Sequence, residues 1–120
     1  MTEPALILAE LEAHAQELDD LSSKLAEVER RLVPVETEYE EYVSGFEEGL
    51  WHRHTREGEK FPPEALRTRL AHREMDPSLL GKHVALQAQR RRMKDRISSL
   101  KAVVDAKRSI LSALKEASFQ

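Results

Sequence analysis

The sequence predicts an all-α protein, an antiparallel coiled-coil helical hairpin with a short helix at its tip. Three observations predict it: apolar residues recur at alternating spacings of three and four, helix breakers concentrate in one central segment, and the segments on either side carry opposite charge. A single domain over residues 1–120 follows, with helix one at about 4–50, the tip at 51–76 and helix three at about 77–117.

In helix one the periodic series begins at Ile7. Leu11, Leu18, Leu25, Leu32, Tyr39 and Phe46 form one row; Leu21, Val28, Val35 and Tyr42 form the other. His14 interrupts the rows on a seam position, where a polar residue sets register. Thr2 or Glu3 is placed to cap the start, with Pro4 in the first turn, where a missing N–H costs nothing. Pro34 lies inside the run, but the heptad phase continues through it and its own position faces solvent. One kinked helix is therefore expected in preference to two helices meeting near Leu32.

Gly49, Gly58 and Pro62-Pro63 break the period, with a short helix expected from about Pro63 to Glu74. Asp76-Pro77 then supplies an N-cap followed by proline at the first helical position. The second series runs His83, Arg90, Ile97, Val104 and Leu111, alternating with Leu86, Met93, Leu100, Lys107 and Leu114. Val103 and Ile110 widen its apolar stripe beyond what a two-helix seam uses, which makes them candidates for a homodimer interface. The short connection forces the two long helices to run antiparallel.

Two registers, one heptad apart, satisfy this pattern. One sets Arg90 opposite Val35 and Lys107 opposite Leu18; the other sets Arg90 over Tyr42 and Lys107 beside Leu25. Either way the long basic stems lie along the seam with their charges reaching outward.

Composition supports the same picture. With 5% aromatic and 34% charged residues in 120, the chain is lean for a globular core. Residues 1–50 hold 14 Asp and Glu against three Lys and Arg, a net of −11, whereas residues 51–120 hold eight against 16, a net of +8. The halves attract. The chain has no cysteine, which excludes disulfides, thiolate catalysis and cysteine-based zinc sites. The longest apolar run, Ala5 to Ala9, is too short for a membrane span and no basic segment precedes it as in a signal peptide, so a cytoplasmic protein is expected.

No phosphate-cradling glycine loop, nucleophile elbow or HExxH motif is present, so no enzymatic activity and no cofactor are expected. Glu36, Glu38, Glu40, Glu41, Glu47 and Glu48 read as a solvated helical face, and the first four lie at the height of the cations of the Arg90–Arg96 run. His52 and His54 diverge by about 200° on a helix, which argues against a metal site.

Trp51 and Phe61 are candidate contacts for a protein partner, or else close the end of the hairpin core. Interleaved with them, Arg53, Arg56, Lys60, Arg67, Arg69 and Arg73 make a candidate single-stranded nucleic-acid surface, with Arg91 and Arg92 as further phosphate contacts.

The heptads from Leu11 to Leu32, the segment EALRTRLAHRE at Glu64 to Glu74 and the closing LKAVVDAKRSILSALKEA at Leu100 to Ala117 together resemble small helical proteins of tailed-phage recombination and replication cassettes, often encoded beside a single-strand annealing protein. The resemblance covers most of the chain, is specific in the closing segment, and carries over no catalytic residue. It implies an accessory factor. The expected function is a non-enzymatic interaction or adaptor protein, with single-stranded nucleic-acid binding through the basic tip as the alternative.

Overall fold

In a computed structural model describing residues 2–118, the chain folds as α1 (Glu3–Glu57), α2 (Glu64–Glu74) and α3 (Pro77–Ser118). The long helices α1 and α3 pack antiparallel, and the short α2 lies between them in the chain, which is the expected all-α hairpin.

The helix ends follow from local chemistry. Thr2 caps α1, its Oγ1 accepting from the Ala5 N–H at 3.4 Å. At the other end Gly58 adopts φ +69°, the Gly58 N–H bonds to the Thr55 carbonyl, and the Glu59 N–H reaches the His54 carbonyl at 3.0 Å. That pair of bonds is a Schellman cap, which needs a left-handed residue and so selects glycine. Helix α1 therefore ends seven residues beyond the expected boundary at 50. Gly49 fails to stop it because a glycine inside a helix costs only about 1 kcal/mol, whereas Gly58 supplies the geometry of a cap.

Pro34 is exposed within one unbroken α1, so the alternative of two helices meeting near Leu32 is not adopted. Three residues on, the Thr37 hydroxyl donates to the Val33 carbonyl at 2.9 Å. Helix α2 starts after an extended Pro63, whose carbonyl accepts from Leu66 and Arg67. The Asp76 carboxylate caps α3, accepting from the Ser78 N–H at 2.9 Å, with Pro77 at the first helical position.

Contacts divide the chain into two compact units, Met1–Val28 with Gln89–Gln120, and Glu29–Ala88. In the first, Ile7, Leu21 and Val28 of α1 and Val104 and Leu111 of α3 are buried. All five lie on the heptad rows. The seam is interrupted by Lys107, whose Nζ lies 2.7 Å from His14 Nε2 and 3.0 Å from Glu10. Lysine has only donors, so the imidazole Nε2 is the acceptor. This contact excludes one of the two expected registers and lies one turn from the Leu18 position of the other. His14 is one turn from Leu18 and roughly three turns from Leu25, so the register that puts Lys107 beside Leu25 is not formed.

The same register changes which carboxylates meet the arginine run. Arg96 pairs with Glu17 at 2.7 Å, and Arg92 shares a hollow with Glu17 and Asp20. The expectation that Glu36 to Glu41 would face these cations is corrected on this point. Glu36 instead accepts from Gln87 at 3.2 Å.

In the second unit, Leu32, Leu50, Ala71, Met75 and Leu79 are buried, drawn from all three helices and the α2–α3 joint. Tyr39 lies at their margin. Its ring stacks on His83 with centroids 3.9 Å apart and planes within 3°, and its hydroxyl is 2.7 Å from His72 Nε2.

Two substitutions test the helix boundaries. Gly58→Ala should destabilise the protein by about 1 kcal/mol, because an L side chain is strained at positive φ. Pro34→Ala should stabilise it by about 1–3 kcal/mol, since it returns a backbone donor to an exposed helical position. Urea denaturation reads both; a neutral Gly58→Ala would remove the cap from the account.

Candidate interaction site

The second unit gathers the aromatic and basic residues singled out at the tip. Trp51 projects from the last two turns of α1, and Phe61 comes from the Gly58–Pro63 connection. Phe61 is the centre of the cluster. Trp51 meets it edge-on at 5.1 Å, His54 at 6.3 Å, and the Arg67 guanidinium lies 4.7 Å from its ring centroid. Arg67 also donates to the Pro62 carbonyl at 2.8 Å and pairs with Glu47 at 3.4 Å. The Pro62-Pro63 pair has little backbone freedom, so this bond fixes the turn that presents Phe61.

Trp51 and Phe61 sit differently in this cluster. Phe61 is half-buried and closes the cluster, whereas Trp51 is held on one edge and remains 52% exposed. Leu66 of α2 adds a second exposed apolar side chain to this unit.

The candidate cations divide differently. Arg53, Arg56, Lys60, Arg69 and Arg73 are exposed. Arg67 is taken up by Phe61, Pro62 and Glu47, and its role is to hold the connection. Arg91 and Arg92 are exposed on α3 and belong to the other unit. Carboxylates dilute the tip: residues 51–76 hold six Lys and Arg against five Asp and Glu, so the segment is nearly neutral. A phosphate backbone would meet almost as much repulsion as attraction there.

His52 lies 3.8 Å from Glu48 on the surface, and His54 lies 3.5 Å from Glu59. Among the described residues no group of three or more His, Asp or Glu is arranged to hold a metal ion.

In the first unit Val103 and Ile110 are 42% and 50% exposed, outside the seam as their heptad positions imply. A hollow of about 420 Å³ opens on that unit between Glu17, Asp20 and Lys24 of α1 and Arg92, Met93 and Arg96 of α3. Sequence reasoning found neither this hollow nor the Tyr39–His72–His83 cluster. Both depend on register, and His14, Tyr39 and His83 were the polar and aromatic signals on the rows that specify it.

Among the described residues no helix is long and apolar enough to cross a membrane. No protein-family model, curated protein or solved structure matches the chain.

Arg67→Ala is expected to cost about 1–2 kcal/mol, combining a lost cation–π contact, a hydrogen bond and a partly screened ion pair. Thermal unfolding with Trp51 fluorescence reads this directly. A variant as stable as the parent would return Arg67 to the surface cations.

Proposed function

We propose that the chain is a non-enzymatic interaction protein, a helical hairpin that acts in the cytoplasm as an adaptor or accessory factor, forms a homodimer, and engages a protein partner at its tip. The observation that carries this reading is Trp51: its edge is pinned against Phe61 while half of its surface stays open. A tryptophan packed on one side against a neighbouring ring has less side-chain entropy to lose on binding, and its large amphipathic ring suits the centre of a protein interface. The nearly balanced charge of residues 51–76 fits a protein partner better than a polyanion. The resemblance to phage recombination and replication proteins favours an accessory role within this reading.

The second reading, single-stranded nucleic-acid binding, draws on the exposed Arg53, Arg56, Lys60, Arg69 and Arg73 beside Trp51. The net −11 of residues 1–50 weighs against it.

A pull-down from the source cells, run with and without nuclease, separates the two. The expected result is a protein partner that survives nuclease and is lost with Trp51→Ser. A single-stranded oligonucleotide at about 50 mM salt should leave Trp51 fluorescence unchanged. Salt-sensitive quenching that disappears when Arg53, Arg56 and Arg69 are replaced by Ala would overturn the protein-partner reading in favour of the other.

A further inference from the structure

One face of the first unit carries an apolar stripe and two rows of opposite charge, and their arrangement specifies how a second copy fits. The Arg96–Glu17 and Lys107–Glu10 pairs identify this face on both helices. On α3, Val103 and Ile110 lie two and four turns beyond Arg96 on the same side, with Ala106 and Ala113 between and after them, all exposed. On α1, Leu6 and Ala13 flank Glu10 at helical spacing, again exposed. The Lys107 contacts put Leu6 near the level of Ile110 and Ala13 near the level of Val103. The hollow puts Asp20 at the level of Arg92.

Charge then selects the arrangement. Residues 2–28 hold seven Asp and Glu against one Lys, and residues 89–118 hold nine Lys and Arg against three Asp and Glu. A copy related by a two-fold axis lying across the helices would set α1 on α1 and α3 on α3, acid on acid and base on base. A two-fold axis parallel to the helices sets each α1 over the other copy's α3 at the same height.

We propose that two copies of this chain pair face to face through this surface about a two-fold axis parallel to the helices, forming a four-helix arrangement. Leu6 and Ala13 of each copy cover Ile110 and Val103 of the other, and Asp20 of each lies over Arg92 of the other. The apolar stripe supplies affinity; the exposed ion pairs orient the copies. The face is large enough: about 30 residues of two helices make roughly 45 by 20 Å, on the order of the 800 Å² per partner that stable interfaces bury. The proposal specifies the dimer of the reading above, on which it rests, and is independent of the tip.

Sedimentation and cross-linking of the full chain test it. The parent should be dimeric at tens of micromolar, and Val103→Glu with Ile110→Glu should weaken dimerisation more than about a hundredfold while leaving the helical circular dichroism unchanged. Because the chain lacks cysteine, an Ala13→Cys chain mixed with a Val103→Cys chain should form a disulfide between copies, and Ala13→Cys alone should not. A parent that stays monomeric at several hundred micromolar overturns the dimer and with it this arrangement. A dimer indifferent to the two glutamates overturns this face alone, and Ala13→Cys cross-linking to itself while the mixture does not overturns the axis alone.

Discussion

The contact of Lys107 with His14 and Glu10, set into a mostly apolar seam, is the interaction on which the alignment of α1 and α3 in the first unit depends. An ammonium half-buried in a seam is costly without partners, and the Lys107 side chain, 24% exposed, is met by His14 Nε2 at 2.7 Å and Glu10 at 3.0 Å. Sliding α3 by one heptad would keep the apolar rows against each other but carry Lys107 from His14 to the level of Ile7 or Leu21. The apolar rows thus tolerate several alignments, and the polar groups reject all but one, much as a single polar seam residue does in other coiled coils. Tyr39, stacked on His83 and within hydrogen-bond distance of His72, plays the corresponding part in the second unit.

Placing polar groups in the seam is affordable only because the hairpin has length to spare. Its aromatic content is 5%, and the buried apolar residues, Ile7, Leu21, Val28, Leu32 and Leu50 on α1 among them, are spread along the helices. Opposite charge on α1 and α3 supports this seam. Arg96–Glu17 is partly exposed and contributes little by itself, but the acidic and basic rows disfavour pairing of like helices. The same asymmetry that guides the fold within one chain also orders the proposed pairing of two.

The fold was legible in the sequence to the extent that it rests on local rules. The heptad rows, the Asp76-Pro77 start of α3 and the Thr2 cap all act within a few residues, and each is where periodicity and capping place it. The end of α1 is not legible in the sequence because Gly49 and Gly58 look alike there; only the second has the positive φ and the two closing bonds of a cap. Register was open for a different reason: two alignments bury the same leucines, and the choice lies in the reach of one lysine. The site was legible only in its members. Trp51 and Phe61 were identified as a pair, whereas the engagement of Arg67 with Phe61, Pro62 and Glu47 depends on a turn that spacing alone does not describe.

Nuclear Overhauser contacts in the unmodified protein test the alignment most directly. The account predicts cross-peaks from the His14 ring to the Lys107 methylenes and from the Tyr39 ring to the His83 ring. Cross-peaks from Lys107 to the Leu25 methyls, with none to His14, would contradict it.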